Sequence, residues 1–204
     1  KGMLWGWEVS GYVWTKAIST GTFLFAFSSL FIIPSNEISK IFFIGILVGL
    51  IFLTLTGALL VKDLDQPKRF FYVLLRPHWG SWLVKGGYSI TFFGLFLSIA
   101  GALIYMDIAF ELLLPVICIT ALFALVTAIY TAFLFRQAKG RDLWQSPVLV
   151  WHMLIHSIMA GAAVFYLLSN FMEFPLQFIT YVQMSLAGSI LINLLFMLIE
   201  FKLL

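Results

Sequence analysis

The stretch Ile41–Val61, "IFFIGILVGLIFLTLTGALLV", contains no charged residue. A bilayer core of about 30 Å is crossed by about 20 consecutive apolar residues in a helix, so this run is the length of one membrane span. Working outward from it, comparable runs occur near Gly11–Ile33, Leu83–Met106, Leu112–Arg136, Val148–Asn170 and Leu176–Phe201. Composition agrees: 62% of residues are hydrophobic and 10% charged, where a soluble domain has roughly a quarter charged. The short alternating segments of about ten residues that mark a membrane β-barrel are absent. The expected fold is an all-α, polytopic transmembrane helix bundle of about six spans, forming one integral membrane domain over residues 1–204.

The chain opens on Lys1 with no signal-peptide pattern, which allows the numbering to begin inside a longer protein. Its single cysteine, Cys118, lies in an apolar run and has no partner for a disulfide, a CxxC pair or an iron–sulfur cage. Lysines and arginines in short loops favour the cytoplasmic side. With six spans, Lys62, Lys68, Arg69, Arg76, Lys85, Arg136, Lys139, Arg141 and Lys202 share one face, and Lys40 stands on the other with Glu37, Asp107, Glu111 and Glu173. Both termini are therefore expected in the cytoplasm. The net charge of +3 is a vectorial asymmetry and not a nucleic-acid footprint. The basic face reads either as a topology determinant or as a docking surface for an acidic partner.

Pro34, Pro147 and Pro175 stand at helix junctions and Pro115 near a helix start, where a missing N–H costs least. Pro67 and Pro77 punctuate the Lys62–Trp82 loop. Gly45 and Gly49 form a GxxxG pair, with Gly57 as a third small contact, so the second helix is expected to pack closely on a neighbour. The absence of inverted repeats and of half-length apolar segments weighs against a secondary transporter.

Polar groups inside a membrane are costly and mark function. Glu8, Tyr12, Thr15, Ser19 and Thr22 recur at 4-3-4-3 spacing on one helix face, with Lys16 adjacent. Two readings stand: Glu8 in water with Lys16 snorkelling back to it, or a hydrogen-bonding wall for a polar head group. Trp5, Trp7 and Trp14 suit an interfacial belt. His152 and His156 lie one turn apart; the remaining histidine, His78, is in a loop, so a haem held between two helices is not expected. A zinc site lacks a third nearby ligand. A helix–helix hydrogen bond or a proton-accepting site fits the pair better. Glu200, near a helix end, reads as a solvated carboxylate.

Three segments resemble one family. "DLDQPKRF", Asp63–Phe70, followed by Ser81-Trp82 and Gly86-Gly87, resembles the D-L-x-x-P-x-R-F…S-x-x-x-x-G pattern of the NrfD/polysulfide-reductase membrane subunits. "FRQAKGRDLWQSPVLVWHML", Phe135–Leu154, resembles the W-x-S-P loop of that family, and "WGWEVSGYVWTKAISTG", Trp5–Gly21, its first helix. The resemblance implies a quinone-binding anchor subunit of a respiratory oxidoreductase complex in a prokaryotic inner membrane. Such a subunit exchanges electrons between menaquinone or ubiquinone and a ferredoxin-like iron–sulfur subunit, with a further catalytic or cytochrome subunit, and holds no haem or iron–sulfur cluster itself.

On that resemblance the quinone-binding residues are Glu8, Tyr12, Lys16, Asp63 and Arg69. Some relatives carry Asn and His where this chain has Tyr12 and no histidine. Tyr12 would hydrogen-bond a quinone oxygen, Glu8 relay its proton, and Lys16 or Arg69 stabilise negative charge. Asp63 and Arg69 would pair across the turn stiffened by Pro67. His152, His156 and Tyr130, with Thr127 and Asn193, would line a proton path. Two rivals remain: a multispanning transporter or channel, and a structural anchor that docks a catalytic subunit without binding quinone.

Overall fold

The structure, a computed structural model, describes residues 7–63, 67–138 and 146–203. Among them are seven helices and no strand: α1 (Trp7–Ser29), α2 (Ser35–Asp63), α3 (Pro67–Leu75), α4 (Trp82–Tyr105), α5 (Phe110–Ala138), α6 (Leu149–Leu168) and α7 (Leu176–Leu203). The all-α bundle expected from composition is what forms. Five helices, α2, α4, α5, α6 and α7, are long and apolar enough to cross a membrane.

The sixth long helix, α1, is 23 residues long, about 34 Å at 1.5 Å per residue, but too polar to pass on composition alone. It nevertheless runs antiparallel to α2 along most of its length. Gly11 lies against Leu59, Thr15 hydrogen-bonds Thr56, Ser19 hydrogen-bonds Gly49, and Ala26 meets Gly45. A helix coextensive with a membrane span shares its depth, and Thr15, Lys16, Ser19, Thr20 and Thr22 in the middle of α1 are tolerable because they are buried.

Consecutive long helices alternate in direction. α2 crosses α4 at Leu53 and Gly94, α4 crosses α5 at Ser89 and Thr127, and α6 meets α7 through Phe165 and Phe178. The α1, α2, α4 and α5 helices close a four-helix ring around Phe23, Phe42 and Phe93. α6 packs in the groove between α1 and α5, running parallel to α1, and α7 rests chiefly on α6.

Glycine sets the closest approaches. Gly45 and Gly49 of the GxxxG pair face the Thr22 and Ser19 carbonyls of α1, as expected, whereas a β-carbon on Gly57 would meet nothing within 4 Å, so Gly57 is not needed for a close approach. The tightest crossing went unread in the sequence: a β-carbon on Gly21 would overlap the Ser157 carbonyl, and one on Gly161 the Gly21 carbonyl.

The Lys62–Trp82 stretch is not simply a loop. Pro67 opens α3, at a first-turn position where its missing N–H is not needed. Tyr88 donates a hydrogen bond to the Leu74 carbonyl and stacks on Trp79 at 5.1 Å, which ties this segment to α4. Gln137, at the end of α5, accepts from the Trp82 amide and donates to the Gly80 carbonyl, each at 3.2 Å. Ser146 accepts the Val148 amide as α6 begins, so the Ser-Pro pair serves as a helix-entry turn.

With these directions the start of α1, the ends of α2, α5 and α7 and the starts of α4 and α6 meet at one face of the bundle. Lys62, Lys68, Arg76, Lys85, Arg136 and Lys202 belong to it. Lys139 and Arg141 lie outside the described residues.

Candidate functional site

On α1 the small hydroxyl residues and Lys16 point to different neighbours. Thr15 donates to the Gly11 carbonyl at 2.9 Å and accepts from Thr56 at 2.9 Å; Ser19 donates to the Gly49 carbonyl at 2.7 Å; Thr22 returns to the Ile18 carbonyl at 2.6 Å. The stripe read as a wall for a polar head group is therefore occupied with α2 and with its own helix. Hydroxyls in such a dry contact satisfy themselves on nearby carbonyls.

Lys16 takes the other direction, into the contact between α1 and α5. It is 2% exposed. Its Nζ donates to the Ala128 carbonyl at 3.2 Å and to the Thr131 hydroxyl, and stands 5.9 Å from the Tyr12 ring centre and 5.0 Å from that of Tyr130. Glu8 is not its partner. That carboxylate pairs with Lys62 at 3.6 Å near the helix start, where Lys62 also covers the Trp7 ring at 4.2 Å. The snorkelling reading of Lys16 is thus replaced by an inward one, and among the described residues no carboxylate forms an ion pair with it.

Tyr130 is 1% exposed and its hydroxyl has no hydrogen-bond partner among the described residues. Its ring occupies space that only a glycine at position 86 leaves open. One turn away on α5, Thr127 shares a 2.6 Å hydrogen bond with Ser89 of α4.

A cavity of about 520 Å³ lies beside Lys16, between α1, α5, α6 and α7. Its walls are largely apolar, with Val13, Ala17, Ala128, Leu149 and Met153 on one side and Met197 and Phe201 on the other. The polar groups that reach it are Lys16, His152, His156, Ser157, Asn193 and Glu200. The two ends of α7 are tied to the bundle by different contacts: an aromatic cluster at its start and a polar bridge near its end. At the start Phe178 packs 5.3 Å from both Phe165 and Phe174, and Tyr181 stacks on Phe25 at 5.0 Å and hydrogen-bonds Ser28 at 2.6 Å. Toward the basic face, α6 and α7 are bridged by His152 Nδ1 and Glu200 Oε2 at 2.9 Å.

Glu200 is 6% exposed, so the expectation of a solvated carboxylate is corrected. Its position near a helix end suggested water, but the end of α7 folds against α6 and the carboxylate is covered. Its Oε1, like Asn193 Oδ1, has no partner among the described residues. The His152 and His156 rings are perpendicular, with centres 6.2 Å apart.

Of the residues expected from sequence, Tyr12, Lys16 and Tyr130 meet in one cluster, and His152 and His156 share the adjoining cavity with Lys16. Glu8 stands apart with Lys62. Asp63 ends α2 and Arg69 belongs to α3, and the side chains of both lie outside the described residues. Thr131 and Ser157 were not read from sequence, because an isolated hydroxyl in an apolar run carries no periodic signal. Among the described residues there is no group of three or more His, Cys, Asp or Glu side chains that could hold a metal ion.

An apolar pocket of this size with a few convergent polar groups suits a small amphipathic ligand. Neither a curated protein nor a solved structure matches the chain. A family model does, that of "Polysulphide reductase, NrfD", and it matches residues 1–204, the whole chain. The bundle of apolar helices, the Asp63–Phe70 and Ser146-Pro147 segments and this match together place the chain in the NrfD polysulphide reductase family.

Proposed function

We propose that the protein binds a quinone in the cavity beside Lys16 and exchanges electrons between it and an iron–sulfur subunit. Family membership already makes the chain a membrane subunit of a respiratory oxidoreductase complex. The observation that carries the finer reading is a lysine amine, 2% exposed and without an ion-pair partner among the described residues, at the wall of a largely apolar cavity. Buried polar groups are costly unless matched, and Lys16 and Asn193 Oδ1 offer a donor and an acceptor to a ligand whose remaining surface is apolar.

A bound quinone supplies two-electron, two-proton chemistry. Toward it, Lys16 serves as the donor to one quinone oxygen, with Tyr12 and Tyr130 holding the amine in place from either side. His152 and His156 offer imidazole nitrogens to the proton. Leu149, Met153 and Met197 exclude water from the head group. Glu8, Asp63 and Arg69 belong to elements that meet at the same end of the bundle, and we keep them as candidates for the entry of the head group.

The face carrying Lys62, Lys68, Arg76, Lys85 and Lys202 is the docking surface for the electron-carrying partner. By the charge rule it faces the cytoplasm of a prokaryotic cell. The test is to purify the chain with its partners, extract and identify any quinone, and cross-link a photoreactive quinone analogue. Labelling of α1 and α6 is expected. A complex that contains iron–sulfur protein but neither quinone nor label overturns the proposal in favour of a purely structural anchor.

A further inference from the structure

We propose that His152 and Glu200 form the proton-exchanging pair of the site, with Glu200 carrying the proton between the cavity and the basic face. The inference rests on the quinone reading above and adds to it the group that carries the proton out.

Three observations meet at this pair. The two side chains come from different helices and bridge the end of the cavity that lies toward the basic face, at 2.9 Å. The contact engages His152 Nδ1 and Glu200 Oε2, which leaves His152 Nε2 for a ligand in the cavity. Glu200 Oε1 is buried and has no partner among the described residues. A bridge serving packing alone would be expected to satisfy both carboxylate oxygens, because leaving a buried acceptor unmatched costs about 1–3 kcal/mol. The next residues in the chain, Phe201 and Lys202, are exposed.

The titratable groups that line the cavity are Lys16 from α1, His152 and His156 from α6, and Glu200 from α7; α5 contributes Ala128. Lys16 is held by Ala128 and Thr131, and the described contacts of His156 are with His152. Glu200 is therefore the acidic member of the set and the one adjoining the exposed end of α7. Tyr130 does not line the cavity, and the proton route runs without it.

The step balances in protons. Quinol oxidation gives up two protons with its electron pair, and the route runs once for each proton: His152 accepts it at Nε2 and passes its Nδ1 proton to Glu200, while the electron pair leaves to the iron–sulfur partner. Loss of the Glu200 proton to water and return of the imidazole to its starting tautomer complete a cycle in which one proton enters and one leaves. Quinone reduction runs the same route backward.

The test uses the purified complex in nanodiscs with a short-chain quinol analogue. Glu200→Gln keeps an acceptor for Nδ1 and removes the exchangeable acid. The expected result is quinone content equal to wild type, turnover lower by about 100-fold, the lower range for loss of a general acid–base group, and a larger solvent deuterium isotope effect. Glu200→Asp recovers part of the rate. Turnover within about two-fold of wild type overturns the proposal, since a general acid–base group contributes far more.

If Glu200→Gln does not assemble, the wild-type complex decides through redox-difference infrared spectra with carbon-13-labelled glutamate. A glutamate carboxyl band that changes with quinone redox state supports the proposal, and its absence overturns it. A wild-type complex without quinone overturns the functional reading itself, and this inference with it.

Discussion

The ring of Tyr130 fills the space that a β-carbon on Gly86 would need, so one glycine on α4 positions an aromatic wall of the Lys16 site on α5. A β-carbon on the neighbouring Gly87 would meet only Leu74, at an ordinary 3.7 Å. Both belong to the Gly-Gly pair that contributed to the family resemblance, and the structure assigns them different work.

Gly86→Ala is expected to push the Tyr130 ring off its position, at an overpacking cost of about 1–3 kcal/mol, and to weaken quinone binding with it. Gly87→Ala should leave both stability and binding unchanged. Thermal midpoints and quinone content of the two variants, purified side by side, check the pair. Equal behaviour would show that Tyr130 has room to move without consequence.

The α1–α6 crossing makes a similar contrast. Gly21→Ala sets a methyl group against the Ser157 carbonyl, backbone that cannot turn aside, so assembled protein should fall sharply. Gly57→Ala, with nothing within 4 Å, should be neutral or slightly stabilising, by up to about 1 kcal/mol from helix propensity. Fluorescence size-exclusion profiles from equal expression cultures read the difference.

Five of the spans were legible because lipid-facing helices must be apolar almost regardless of their partners. The sixth, α1, was legible by length, and its polar stripe by period. What the stripe faces was not: a 4-3-4-3 pattern places Thr15, Ser19 and Thr22 together but does not say that α2 offers Ser19 a carbonyl and Thr15 a hydroxyl, nor that Lys16 turns toward α5. Glu200 shows the same limit. Its partner His152 is 48 residues away, and proximity to a helix end suggested water where the fold supplies an imidazole. α3 was read as loop because Pro67 signals a break after α2 and equally a first helical turn, and only the neighbouring helix decides between them.

Lys16→Met is expected to separate function from stability. The side chain is nearly isosteric, and the exchange removes the cost of burying the amine head, here set against the lost hydrogen bonds to Thr131 and Ala128. The thermal midpoint should therefore hold or rise while quinone affinity falls by about ten-fold, the equivalent of one hydrogen bond of about 1.4 kcal/mol. A Met variant that loses its midpoint but keeps quinone affinity would make Lys16 a structural residue.

The bundle directions put Pro77 on the basic face and Asp107, between α4 and α5, on the opposite one. Local charge differs accordingly: Lys68, Arg76 and Lys85 surround Pro77, whereas Asp107 and Glu111 occupy the α4–α5 turn. Since lysine and arginine in short loops are retained on the cytoplasmic side, a reporter active only in the cytoplasm should work when fused after Pro77 and fail after Asp107. A reporter active only outside should do the reverse. Inverted activity would place the end of the cavity closed by His152 and Glu200 toward the outside, and protons carried by Glu200 would then be exchanged with that compartment.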